Sequence, residues 1–149
     1  MKTIIIINGP NINLIGEREK NIYGNTNIKI YLEKIKNKYI KKKINLKIFY
    51  TNSESKIIYI LQKCSPLKNK ILGVIINAGA FTHTSLAISD TIKYISNLNI
   101  KILELHISNI FMRENIRHNS LLSKNCTGLI IGFGVIGYEI AIISLIKKK

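Results

Sequence analysis

Cysteine is scarce in this chain. There are two, Cys64 and Cys126, and they form no metal-spaced pair. That excludes a cysteine-built metal framework, and the two thiols are expected to stay unpaired. Long apolar runs are also missing. The Ile-rich stretches are short and broken by Lys and Asn, and none approaches the roughly 20 residues that span a bilayer. The opening MKTIIIINGPN places one Lys before an apolar run of about four residues. This is shorter than the roughly 7–15 residues of a signal h-region, and no small-residue cleavage site follows. It reads as a first strand, and the protein as cytoplasmic and not bound to membrane. Linkers, repeats and low-complexity tracts are absent too, so residues 1–149 read as one domain with a single core.

Acidic residues are few, eight against 23 Lys and Arg, which leaves a formal charge of +15. Such an excess raises the question of a nucleic-acid module. However, it is almost all Lys, in a chain saturated with Ile and Asn, a combination that A/T-rich codon bias produces without selecting a basic site. No aromatic-studded basic sheet face or other RNA-binding signature accompanies it. The run Lys41–Lys43 and the tail Lys147–Lys149 fall near predicted helix ends, where cations complement the helix dipole. Arginine, by contrast, occurs only at 18, 113 and 117, and in a Lys-rich chain each position suggests a need for a planar, forked cation.

Strand-like and helix-like stretches alternate throughout. Strands are predicted at 3–8, 46–51, 71–77, 101–107 and 128–132. Helices are predicted at 27–42, 53–64, 83–98 and 134–148, with a short helical piece near 113–116. Ile28, Tyr31, Leu32, Ile35 and Tyr39 have helical spacing, with Thr26 or Asn25 as the expected cap. Ser53 is the expected cap of the second helix. Buried strands that alternate with helices imply an α/β fold, a parallel sheet covered on both faces. Right-handed crossovers make it a flavodoxin-like, doubly wound five-stranded sheet of order 2-1-3-4-5. Ligands of such sheets bind beyond the carboxyl ends of the strands.

The loops at that edge hold the polar chemistry. After the first strand come Asn8, Asn11, Arg18 and Tyr23. After the third comes NAGAFTHTS, with Asn77 and His83. The fourth strand ends in ELHIS, with Glu104, His106 and Ser108, and FMRENIRHNS follows with Arg113, Arg117 and His118. All three His and all three Arg of the chain lie in these segments. Each residue alone has an ordinary explanation: NGPN as a turn, Tyr23 as a loop anchor, His83 as a helix cap, Arg117 as a surface charge. Glu104 and His106, two apart on one strand, share a face. Together the segments point to a single crevice.

NGPNINLIGEREKNIYG, INAGAFTHTSLAISD and ELHISNIFMRENIRHNS resemble the three signature segments of the type II 3-dehydroquinate dehydratases, and GLIIGFGVIGYEIAI resembles their last strand and helix. The likeness covers essentially the whole chain in order. It implies loss of water from 3-dehydroquinate to give 3-dehydroshikimate, a step of the shikimate pathway, without metal, cofactor or Schiff base. By resemblance Tyr23 is the base that removes a proton alpha to the ketone. A phenol has an ordinary pKa of about 10, and Arg18 is the cation that favours its anion. Asn11 holds the water or donor that stabilises the enolate oxygen. His106 is the general acid for the departing hydroxyl, oriented by Glu104. Asn77, the amides of Ile107 and Ser108, and the Ser108 hydroxyl bind the carboxylate. His83 and Arg117 bind ring hydroxyls. Asp90 reaches a hydroxyl in a neighbouring subunit, since the family forms trimers stacked into dodecamers. Lys20 stands where the family usually has Pro, and Ala78 and Asn115 are further variations beside motif residues.

Two other readings carry less. Gly132, Gly134 and Gly137 match G-x-G-x-x-G after a strand, but a dinucleotide fingerprint also needs a further strand with an acidic residue about 20 residues on. Close helix–strand packing is the expected role. His83, Glu104 and His106 offer two His and a carboxylate, a set that catalytic zinc uses, which keeps a metal-dependent hydrolase as the enzyme alternative.

Overall fold

β1 (Lys2–Asn8) is the apolar run TIIIIN extended by one residue, and its side chains divide by parity between two cores. In the computed structural model, which describes residues 1–17, 21 and 26–147, Ile4 and Ile6 face one helical layer and Ile5 and Ile7 the other. The remaining strands are β2 (Ile44–Tyr50), β3 (Ile71–Asn77), β4 (Ile102–His106) and β5 (Gly128–Ile131). All pairings are parallel and the order is β2-β1-β3-β4-β5, as the alternation of elements predicts.

Four α-helices among the described residues cover the sheet: α1 (Ile28–Ile40), α2 (Glu54–Gln62), α3 (Leu86–Asn97) and α4 (Ile136–Ile146). Ile28, Leu32 and Ile35 of α1 pack with Tyr138, Ala141, Ile142 and Leu145 of α4 against Ile4, Ile6, Ile75 and Leu105. On the opposite face, Ile57, Ile60 and Leu61 of α2 and Ile88, Ile92 and Ile95 of α3 cover Ile5, Ile7, Val74 and Ile76. Each such side chain fully removed from water contributes roughly 1.5–3 kcal/mol. α4 is apolar nearly all round, and Ile136, Ile140 and Ile143 remain 59%, 36% and 39% exposed. Among the described residues no helix is long and apolar enough to cross a membrane.

The boundaries differ from the sequence reading where capping decides them. Asn27, not Thr26 or Asn25, caps α1: its side chain accepts from the amides of Lys29 and Ile30. Asn25 itself lies outside the described residues. Ser53 caps α2 as predicted, accepting from Lys56 N. α3 begins at Leu86 and not at 83, because the Ser85 hydroxyl accepts from Ile88 N; residues Gly79–His83 form a 3-10 turn instead. β2 starts two residues early, at Ile44, pairing with Lys2. The helical piece predicted near 113–116 is two 3-10 turns, Ile110–Met112 and Asn115–Arg117. α4 starts at Ile136, later than predicted, since Gly132 and Gly134 have φ of 85° and 62° and form the turn that leads into it. Lys148 and Lys149 lie outside the described residues. Both thiols are unpaired, and burial pushes Cys64 up to about 11 and Cys126 up to about 12.

The loops after β1 and β3 are held together at their roots. Asn8 and Asn77 are register partners, and Gly9 N donates to Asn77 O at 2.8 Å. A Cβ on Gly9 would stand 2.4 Å from the carbonyl oxygen of Ala78. That contact is backbone to backbone, so neither side can rotate away. Gly9→Ala is therefore expected to destabilise the fold by roughly 1–3 kcal/mol, the usual cost of overpacking. Urea unfolding should show a lower midpoint with an unchanged slope.

Candidate active site

Three strands end in polar residues at the same edge: Asn8 on β1, Asn77 on β3, and Glu104 and His106 on β4. All four are buried. A buried polar group is costly unless hydrogen-bonded, so the partners of these side chains describe the site.

Glu104 is fully inaccessible and is met by three donors. His106 Nε2 donates to Oε1 at 2.6 Å, Ser123 Oγ donates to Oε2 at 2.7 Å, and Ser120 Oγ lies 2.9 and 3.1 Å from the two oxygens. Burial alone would raise the pKa of this carboxyl. The bonds from His106, Ser123 and Ser120 and the adjoining imidazole outweigh that and hold it below its ordinary value. Ser120 Oγ in turn accepts the amides of Leu122 and Ser123, both at 3.1 Å, which fixes the chain that carries the two serines. With Nε2 engaged by Glu104, Nδ1 is the ring nitrogen of His106 left to act on a ligand.

His106 opens onto a cleft of about 350 Å³ at the carboxyl edge of the sheet. The loop after β3 contributes Asn77, Gly79 and His83. The chain from β4 contributes His106, Ile107, Ser108, Ile110, Arg113 and Arg117, and Ile12 closes the side toward β1. The His83 ring lies 6.3 Å from that of His106, inclined by 21°, and its Nδ1 is held 2.8 Å from Asn119 O. Arg117 Nε donates to Glu114 Oε1 at 2.7 Å, and Arg113 Nε stands 3.6 Å from Oε2 of the same carboxylate. Hydrogen bonding from Arg117 is the main cause that holds Glu114 down to about 2. Arg113 Nη1 also reaches Ser108 Oγ at 3.4 Å.

Asn77, His83, His106, Ile107, Ser108 and Arg117 thus line one cleft, as their positions in the sequence predict, and Glu104 stands behind His106. Asn11 is exposed and does not line the cleft. It has φ 65°, a left-handed conformation that Asn tolerates, and its N–H donates to Asn52 Oδ1 at 3.0 Å. Asp90 is exposed on α3, beside a separate depression with Gln62, Ser65, Pro66 and Tyr94. Arg18 and Tyr23 lie outside the described residues. His83, Glu104 and His106 do not form a ligand set, since Glu104 is taken up by His106 and two serines and His83 Nδ1 by a carbonyl. Among the described residues no group of three His, Cys, Asp or Glu is placed to hold a metal.

Arg113, which the sequence places at the same crevice without a role of its own, also lines the cleft. Ile12, Gly79 and Ile110 carried no signal. Ser120 and Ser123 are ordinary serines in a turn, and only the fold brings them to Glu104.

Comparison with known proteins shows the family and the fold. The family described as Dehydroquinase class II matches residues 2–146. The 3-dehydroquinate dehydratase of Caldicellulosiruptor saccharolyticus is 47% identical over 145 residues, 97% of each chain. That of Buchnera aphidicola subsp. Cinara cedri is 46% identical over 97% of this chain and 91% of its own. The crystal structure of the type II dehydroquinase from Butyrivibrio crossotus superposes with a TM-score of 0.90 at 41% identity, covering 98% of both chains. That from Propionibacterium acnes gives 0.89 at 32% identity, over 99% of this chain and 98% of the other. With a shared fold and a family match that extends through all three polar loops, this chain belongs to the class II dehydroquinases.

Proposed function

We propose that this protein dehydrates 3-dehydroquinate to 3-dehydroshikimate, the shikimate-pathway step, by anti elimination through an enolate, in the cytoplasm. The observation that carries the reading is the buried Glu104–His106 pair, 2.6 Å apart, opening onto a cleft with an amide, a serine and two guanidinium groups. An elimination of this kind needs a base, an enolate stabiliser, an acid for the leaving hydroxyl and a grip on a carboxylate. His106 delivers the proton to the hydroxyl from Nδ1, held in place by Glu104 through Nε2. Asn77, Ser108 and the backbone at Ile107 and Ser108 hold the carboxylate. His83 and Arg117 contact ring hydroxyls. Asn11, at the root of the first loop and outside the cleft lining, is given the donor for the enolate oxygen by the family resemblance alone. Tyr23 takes the alpha proton, its phenolate favoured by Arg18, and each pKa unit of that preference is about 1.4 kcal/mol. The subunits assemble as trimers within a dodecamer, with Asp90 contributing across the contact. The exposed Ile136, Ile140 and Ile143 of α4 support assembly, because an apolar helix face of this extent favours a covering partner.

The product is a conjugated enone, so ultraviolet absorbance follows the reaction directly. Tyr23→Phe is expected to lower kcat at least about a hundredfold, within the usual range for a general base, while 3-dehydroquinate still binds by calorimetry. Near-normal turnover would refute the assignment of the base.

Ser123→Ala loosens the carboxylate that holds His106, and kcat is expected to fall several-fold with little change in KM. Because the folded-state pKa of Glu104 is lowered, its stabilisation is present above the ordinary value of 4.5 and is lost as the pH falls through the folded value. The variant should therefore be less stable by roughly 1–3 kcal/mol near neutral pH, a deficit that shrinks in acid below that ordinary value. Denaturant titrations across pH check this.

Sedimentation of the unmutated protein should give a trimer or a multiple of it, and Asp90→Ala should lower kcat/KM. A fully active monomer would overturn the part assigned to Asp90.

A further inference from the structure

Tyr138 lies one residue beyond the last glycine of G-x-G-x-x-G, on the first turn of α4, and it is fully buried. A phenol in an aliphatic core is unusual unless its hydroxyl has partners. Here it has two, and both are strand-end amides at the floor of the site. Tyr138 Oη donates to Asn8 Oδ1 at 2.6 Å and accepts from Asn77 Nδ2 at 3.1 Å. The bonds run in one direction, from Asn77 through Tyr138 to Asn8. Burial pushes the phenol well above its ordinary 10, so the hydroxyl always has a hydrogen for Asn8 and a lone pair for Asn77.

That direction matters because an amide side chain is nearly symmetric in shape but not in charge. Rotated by 180°, Asn77 would exchange a donor for an acceptor with little change in packing. Its other contact, from Gly79 N to Oδ1, is long at 3.4 Å and weakly selective. We infer that Tyr138 is a positioning residue: its hydroxyl, seated between Asn8 and Asn77, holds the rotation of an amide that lines the cleft. A ligand in the cleft then meets this amide in one rotation and not in its exchanged alternative. Tyr138 touches no part of the cleft itself and acts only through Asn77. The motif that resembled a dinucleotide fingerprint thereby gains a purpose: the turn at Gly132 and Gly134 brings the start of α4 down onto the sheet edge, where the phenol reaches between β1 and β3.

This inference rests on the proposed reading of Asn77 as a contact of the substrate carboxylate, and a double-mutant cycle separates the two. In the unmutated background, Tyr138→Phe keeps the ring and removes both hydrogen bonds. The KM for 3-dehydroquinate is expected to rise roughly tenfold, comparable to losing one hydrogen bond to a charged group, with kcat within about twofold. In an Asn77→Ala background the same substitution should change KM less than about twofold, because there is no amide left to orient. An equal rise in both backgrounds would mean a general structural effect and would overturn the positioning role, as would no rise in either. If Asn77→Ala alone leaves KM unchanged, the reading of Asn77 fails, and the inference fails with it. Asn8→Leu serves where Tyr138→Phe does not fold. It removes the acceptor together with the Asn8 Nδ2, a buried nitrogen without a partner among the described residues. Its KM should rise in the same background-dependent way, and a KM equal to that of the unmutated protein would overturn the role.

Discussion

Glu104 is a carboxylate with no access to solvent, placed near the end of an interior strand of a parallel sheet. An ionised group there is destabilising by several kcal/mol unless donors surround it. The donors that satisfy it come from His106 on the same strand and from Ser120 and Ser123 on the turn before β5. The ring nitrogen that holds Glu104 also sets the orientation of His106 toward the cleft. Solving the burial problem and orienting the imidazole toward the cleft are therefore one arrangement. Asn8, Asn77 and Tyr138 repeat the pattern one and two strands away, with neutral groups in place of charged ones.

Why these strands and not others follows from topology. β1, β3 and β4 are the interior strands of the 2-1-3-4-5 order, so their ends are flanked by chain on both sides. β2 and β5 are edges, and among the described residues neither of their loops lines the cleft. The close approach of Gly9 to Ala78 keeps the β1 and β3 loops in one register at their roots. The paired turns after β4 carry Arg113 and Arg117 on either side of Glu114. This carboxylate presets two long, flexible side chains before any ligand arrives, which reduces the ordering cost of binding.

Much of this could be read from the residues alone. Strand order, both cores and the set of loops that form the site follow from alternation and period: Ile4 and Ile6 against Ile5 and Ile7, and helical spacing in 28–39. The shared face of Glu104 and His106 followed from two-residue spacing on a strand, and their pairing from the family resemblance. Helix starts were less legible because Asn25, Thr26 and Asn27 are all plausible caps, and only the backbone decides among them. The positions of Ser120, Ser123 and Tyr138 were not legible. Their partners lie 16, 19 and 61 or more residues away in sequence, and neither serine in a turn nor tyrosine in an apolar helix has a periodic signature.

The two thiols, kept protonated by burial and, at Cys126, also by the nearby Glu104 carboxylate, have a practical corollary. Thiolate is the form that alkylates and oxidises, and neither native sulfur supplies it near neutrality. A cysteine engineered onto the surface would therefore be the preferred target for a maleimide fluorophore, with no need to strip the native ones first.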